Sequence, residues 1–445
     1  MSALDAIIVG AGAAGLAAAT ELGRAGLSLC VLEARDRIGG RMFTKHDPES
    51  KAPIELGAEF IHGLSAEIWE PLQRANIKPE EVEGDSWCSE GGRLSRCSFF
   101  SQVEEILEQM DDSEPDEPFL DFLNRKFGSR EDMKEAREHA VRYVSGFNAA
   151  DPALVGVHWL VKGMRAEEQN GGSRAFRCLS GYSELVGIFE RELKLLNVPV
   201  YTDRLVESIA WQQGSCEVRG RAAAGEPFKI AASRVLLTLP LGVLKAPAGQ
   251  TGSVEFSPSL PQEKIDAFSK IEMGKVIRIV LQFRQRFWET IRPPDEKASL
   301  SNMSFLFSPD EYFPTWWTTM PRKLPMITGW APFRSAEELS GREPTEVVGH
   351  ALQTLGKLLQ VESSKLDSTI EAAHFHDWQA DPFSRGAYSY GKVGANLAQQ
   401  VLASPLMNTL FFAGEATDTT GNNGTVHGAI ASGHRAAQEI LHALK

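Results

Sequence analysis

"DAIIVGAGAAGLAAATELGRAGLSLCVLEA", Asp5 to Ala34, decides the fold. An apolar run leads into a glycine-rich turn and an alanine-rich helical stretch. Gly26 then stops the helix, and a second apolar run ends in an acid. That order, compressed into about thirty residues, predicts a β-α-β unit. Gly10, Gly12 and Gly15 form G-x-G-x-x-G, with Ala14 inside the motif. The first glycine permits the tight turn, the second lets backbone approach a pyrophosphate, and the third lets helix pack on strand. The free N–H groups of the helix start face the same anion. Glu33 follows Gly12 by 21 residues, where a carboxylate accepts from a ribose hydroxyl. An acid there speaks against a 2′-phosphate, and so against NADP.

Working outward, "ARDRIGGRMFT" sets Arg35, Arg37 and Arg41 around the Gly39-Gly40 pair, and Arg41 can add charge-assisted bonds to a pyrophosphate. "IELGAEFIHG" returns a short strand and a glycine-bearing turn. From Val103 to Asp151 the chain is charged and helix-favouring, broken by the acidic run Asp111 to Glu117, read as a solvated loop. Strand-like pieces follow at "VPVYTDRLVESIAW" and "RVLLTLPLGVLK", then a segment rich in Trp and Pro. "TLFFAGEATD" and "GTVHGAIASGHRAAQEILHALK" close the chain as strand and helix.

The chain has 445 residues with 42% hydrophobic content, enough for two or three domains. A net charge of −13 without clustered Lys and Arg excludes a nucleic-acid partner. No apolar run is long enough to span a membrane, and no basic leader precedes the first apolar segment, which predicts a soluble cytoplasmic protein. The five cysteines, Cys30, Cys88, Cys97, Cys178 and Cys216, are scattered, without a C-x-x-C pair, and are expected to be reduced thiols. His374 and His376 share a strand face, but no third ligand is spaced to join them in a metal site.

Seven motifs in order resemble the flavin-dependent amine oxidase family, nearest its polyamine oxidase-like branch: "VGAGAAGLAAA…VLEARDRIGGRM", "LGAEFIHG", "LSGYSELV", "LLTLPLGVLK", "MGKVIRIVLQFRQRFW", "DWQADPFSRGAYSY" and "FFAGEATD…GTVHGAIASG". The resemblance implies a mixed α/β fold with a discontinuous Rossmann-like FAD-binding domain, residues 1–79, 195–265 and 383–445, including a central strand pair. A substrate domain of mixed sheet and helices, residues 80–194 and 266–382, is inserted in it. It assigns cofactor contacts to Gly10, Gly12, Ala14, Gly15, Glu33, Ala34, Arg35, Gly40, Arg41, Gly57, Ala58, Glu59, Phe60, Val206, Trp378, Gly414, Glu415, Thr425 and Val426. The implied chemistry is hydride transfer from an amine carbon to FAD, giving an imine, with dioxygen as acceptor and a small amine as substrate. Oligomeric state is left open.

Five positions carry the expected catalytic roles or depart from the family pattern. Ala387 stands where monoamine oxidases hold flavin through a cysteine thioether, which implies non-covalent FAD. Tyr388 matches the aromatic residue flanking the amine, while the partner tyrosine of monoamine oxidases is Thr425 here. Arg278 replaces the usual lysine ten residues before Trp288. In "KVIRIVLQF" alternation places Ile277, Ile279, Leu281 and Phe283 on one face and Val276, Arg278, Val280 and Gln282 on the other. Arg278 stays charged and cannot act as a base. It can hold a water, grip a substrate carboxylate as in an amino-acid oxidase, or pair with a nearby acid. His62 matches a histidine that orients an amine or accepts its proton. Trp316, Trp317, Trp330 and Phe313 are expected to wall the pocket, and Tyr390 to pack. Two alternatives share some motifs: a flavin desaturase, and an FAD-bound binding protein that has lost turnover.

Overall fold

The opening β-α-β unit forms as its residues dictate. In the computed structural model, which describes residues 4–90, 92–96, 99–308 and 312–444, strand Leu4–Val9 leads through Gly10–Gly12 into helix Ala13–Arg24 and strand Leu29–Leu32. Leu4–Val9 pairs in parallel with Leu29–Leu32 on one side and with Pro227–Leu237 on the other. Ile7 and Ile8 have no exposed surface, so both faces of this strand are covered, as parallel sheets require. One face packs on Ala13–Arg24 and on the last helix, Val426–His442; Leu16, Ala17, Ile430 and Ala437 share that core cluster.

Among the described residues the sheet has eight strands, in the order Val200–Tyr201, Leu29–Leu32, Leu4–Val9, Pro227–Leu237, Ser215–Ala222, Arg204–Gln212 and Glu255–Ser257, with Leu410–Phe412 also pairing Pro227–Leu237. Where a strand pair is expected in the middle, the structure has a three-stranded antiparallel meander, 204–237. The first half of Pro227–Leu237 is largely exposed, so its apolar signal begins only at the buried "VLL".

Among the described residues a second sheet of seven strands runs Ile370–Asp377, Val276–Phe283, Met326–Pro332, Thr315–Thr318, Met303–Phe307, Asp85–Glu90 and Arg93–Arg96. Its Val276–Phe283 strand alternates as expected: Ile277, Ile279, Leu281 and Phe283 enter one core with Trp288 and helix Pro344–Leu359. The opposite face turns Val276 and Arg278 towards a large cavity. The acidic run joins helices Phe99–Leu107 and Phe119–Phe127 as a loop, although Asp116 accepts from the N–H groups of His158 and Gly394.

The reading of all cysteines as reduced thiols is corrected. Cys88 is disulfide-bonded, whereas Cys30, Cys178 and Cys216 are free and buried; Cys97 lies outside the described residues. Cys88 sits in a hairpin whose two strands pair back to back in sequence, a proximity that scattered spacing does not reveal. Among the described residues no helix is long and apolar enough to cross a membrane.

Candidate active site

A single cavity of about 560 Å³ runs from the Gly10–Ala14 turn to the aromatic face of the second sheet. Every residue to which the sequence assigns a cofactor or catalytic role lines it, except Gly15. Gly15 has the packing role expected of the third glycine: an added Cβ would overlap the Gly10 carbonyl oxygen and lie 2.9 Å from Thr238 Oγ1.

The Gly10–Ala14 end is made mostly of backbone. Gly12 caps helix Ala13–Arg24 without a side-chain hydrogen bond, so the first N–H groups point outward unmet by the chain's own side chains. A Cβ on Gly12 would meet nothing closer than Gly40 Cα at 4.0 Å and would project into space an anion needs. Glu33 is buried; it accepts from the Ala11 N–H at 2.9 Å and the Arg35 N–H at 3.0 Å, which fixes its carboxylate at the end of Leu29–Leu32. A bulge between Val206 and Ser208 interrupts the ladder where Val206 lines the cavity, the local irregularity that frees backbone for a ligand. A glycine cradle, an uncapped helix start and a fixed acid fit a dinucleotide such as FAD.

Several assigned side chains are already engaged. Arg35 bonds Asp381 at 2.7 Å and Ser384 at 3.0 Å, tying the nucleotide loop to the "DPFSRG" turn. Arg41 Nη1 donates to the Ala387 carbonyl at 2.7 Å and to Glu415 at 3.0 Å. Glu415, buried, also accepts from Ser389 Oγ at 2.6 Å and the Gly424 N–H at 3.0 Å. Trp378 donates to the Leu56 carbonyl. Thr425 is the N-cap of Val426–His442: its hydroxyl accepts from the Gly428 N–H at 3.0 Å and donates to the Asn422 carbonyl at 2.6 Å.

The other end of the cavity is made of side chains. Register pairs Arg278 with Trp330 and Trp330 with Thr315, so Arg278, Trp330 and Trp317 share the cavity face. Trp330 and Tyr388 rings stack 6.5 Å apart at 14°, and Trp317 and Phe60 meet edge to face. The Tyr388 hydroxyl donates to the Phe147 carbonyl at 2.7 Å, and burial raises its pKa. The expected four-residue wall is corrected: Trp317 and Trp330 line the cavity, but Trp316 and Phe313 pack on the opposite face in the core, with Trp316 lying over Gly329. Strand alternation sends Trp316 and Trp317 to opposite sides. Tyr390 is buried, as a packing residue should be.

Arg278 adopts the paired state. It is 3% exposed, its Nη1 donates to the Gly57 carbonyl at 2.7 Å, and its Nη2 bonds Glu59. Glu59 is further met by Trp317 Nε1 at 2.9 Å and by Arg177 Nε at 2.8 Å. Burial alone would raise the Glu59 carboxyl; the charges of Arg177 and Arg278 outweigh it and hold the group below the usual carboxylate range.

His62 follows Ile61 on a short strand pairing with Ala175–Arg177, which buries Ile61 and turns His62 to the cavity. The same cavity is lined by His427, at the first turn of the last helix, whose Nε2 lies 3.0 Å from Asn422 Oδ1. Burial lowers both imidazoles, His427 to about 4 with the help of His62, so both are neutral near pH 7. His427 was not singled out from the sequence although it stands inside the quoted "GTVHGA" motif; Glu167, also lining the cavity, gave no signal in the charged stretch "RAEEQ".

The family model described as flavin containing amine oxidoreductase matches residues 13–111 and 93–441. Lysine-specific histone demethylase 1 homolog 3 of Arabidopsis thaliana is 26% identical over 99% of this chain and 30% of its own length. Homolog 2 from the same plant is 28% identical over 98% of this chain and 58% of its own length. The chain therefore spans about a third to three fifths of these curated relatives. Among solved structures, a putrescine oxidase triple mutant superposes with a TM-score of 0.78 at 22% identity, covering 99% of both chains. Cyclohexylamine oxidase from Brevibacterium oxydans gives 0.77 at 20%, also covering 99% of both. At that identity the likeness concerns the fold.

Proposed function

The chain belongs to the flavin-containing amine oxidoreductases, and from that premise we propose that it oxidises a small amine with non-covalent FAD and passes the electrons to dioxygen, releasing peroxide. One observation carries the reading: a single cavity joins the Gly10–Ala14 turn to the Tyr388–Trp330 ring pair. Bound there, FAD would supply the acceptor for the hydride lost from the carbon next to the amine nitrogen. The chain supplies the rest. Helix Ala13–Arg24 and Glu33 take the diphosphate and ribose, and the start of Val426–His442 offers N–H groups to negative charge at the far end. Tyr388 and Trp330 present ring faces to a cation or a polarised C–N bond. Neutral His62 and His427 add no positive charge beside the substrate and can hydrogen-bond an incoming amine, which must arrive deprotonated to keep the lone pair that hydride loss requires. Water then hydrolyses the released imine.

Ala387 offers a methyl group where a thioether would need sulfur, so acid precipitation should leave the yellow colour in the supernatant. The first layer of the fold, around the eight-stranded sheet, is proposed as the cofactor domain, with the boundaries expected above, and the second sheet as the substrate domain. A carboxylate grip by Arg278 is disfavoured because Glu59 and Gly57 already occupy two of its nitrogens. The test is anaerobic addition of an amine panel to holoprotein: bleaching by an amine, with peroxide on admitting air, supports the reading. No bleaching by any amine overturns it.

A further inference from the structure

A second, smaller cavity of about 40 Å³ has room for one or two water-sized species. Arg177, Arg278 and Arg322 line it, together with Glu55 and Glu59. Arg278 and Glu59 line the main cavity as well, so the two spaces share this pair as a wall. The carboxylates are committed. Glu59 holds Arg278 Nη2, Arg177 Nε and Trp317 Nε1, while Glu55 takes the Tyr182 N–H and Thr44 Oγ1, each at 2.7 Å. The arginines are not fully met. Arg177 donates from Nη1 to the Met320 carbonyl, but its Nη2 is buried with no acceptor among the described residues, and Arg278 leaves its Nε in the same state. Arg177 is 6% exposed and Arg278 3%, so neither borrows a partner from bulk solvent. Arg322 gives one N–H to the Leu179 carbonyl at 2.9 Å and is half-buried, which sets the cavity close to the surface. Three guanidinium groups thus stand against two carboxylates, and burial pushes the Glu55 carboxyl up to about 7, which removes part of its charge near neutral pH. A buried N–H without an acceptor marks the place of a water or an ion. Water would answer the hydrogen bond and leave the excess positive charge, whereas an anion answers both.

We propose that this small cavity binds a monovalent anion of chloride size, held by Arg177, Arg278 and Arg322. Charge-assisted N–H donors replace the hydration shell that such an ion gives up on entering. Phosphate, sulfate and organic acids need more room than the cavity has. Because Arg278 also lines the main cavity, the bound anion offsets part of the positive charge that this side chain presents there. The site stands on these residues alone and does not depend on which substrate, if any, is oxidised next door.

Two measurements on holoprotein test this. Crystals soaked in bromide should show an anomalous peak inside the small cavity, within hydrogen-bonding reach of Arg177 Nη2. Melting is then followed at constant ionic strength as chloride replaces gluconate, an anion too large to enter. The melting temperature should rise saturably, by about 2–4 °C at roughly 100 mM chloride, since an ion that binds only the folded state stabilises it by mass action. Arg322→Met should move the midpoint of that rise to roughly tenfold higher chloride. Bromide found only on exposed side chains, a water in the cavity with no anomalous signal, or a chloride titration unchanged in Arg322→Met overturns the proposal. Should Arg322→Met fail to fold, the anomalous map of the native protein decides alone.

Discussion

At one end of the cavity Gly10, Gly12 and the first turn of Ala13–Arg24 present backbone; at the other, Tyr388, Trp330, Trp317 and the Glu59–Arg278 pair present side chains. Backbone recognises what phosphates share, so its requirements are steric and nearly invariant in kind. Side chains recognise one substrate, and here their charges are balanced against each other before any ligand arrives. The first end fails by losing space, and the second by losing balance.

Substitutions separate the two modes of failure. The largest effect is expected from Gly15→Ala, whose Cβ would collide with the Gly10 carbonyl: about 4 kcal/mol or more, read as a lowered melting temperature. If melting is unchanged, the backbone end is more pliable than drawn. Next, Glu59→Gln strands two buried guanidinium groups, Arg177 and Arg278, and should cost about 3–5 kcal/mol. A double substitution with Arg278→Met should recover part of the loss, and strict additivity would break the claim that the pair is one unit.

Glu55 gives a pH-dependent case. Burial pushes its carboxyl up to about 7, against hydrogen bonds from the Tyr182 N–H and Thr44 Oγ1. The folded state thus binds more protons than the unfolded state between the ordinary carboxylate range and pH 7, so stability falls as pH rises through that window. Denaturation at pH 5 and pH 8 should show Glu55→Gln gaining on the native protein at the higher pH, on the order of 3 kcal/mol. Equal differences at both pH values would refute the burial cost. Smallest is Thr425→Ala, which removes an N-cap bond and should cost about 1 kcal/mol while flavin is retained. Loss of flavin in that variant would make Thr425 more than a cap.

The same contrast explains what the chain's letters disclosed. Gly10, Gly12, Gly15 and Glu33 are spaced by local geometry, so their placement was readable over thirty residues or so. The alternation of Val276–Phe283 was readable for the same reason, and it put Arg278 on the correct face. Which of Arg278's possible partners wins was not, because Glu59 lies 219 residues away. Trp316 and Trp317 are adjacent letters with opposite fates, fixed by a strand phase that the Trp- and Pro-rich segment hides. The Cys88 disulfide, likewise, depends on a hairpin and not on spacing.

The eight-stranded sheet is closed late. Leu4–Val9 waits for Pro227–Leu237, which in turn takes Leu410–Phe412, and Arg41 reaches a carbonyl 346 positions further on. A ribosome releasing this chain therefore holds an apolar first strand with one edge open through half of translation. The nascent N-terminal half is then a natural client for chaperones, and synthesis truncated before residue 410 should yield aggregate in place of a small soluble nucleotide-binding fragment.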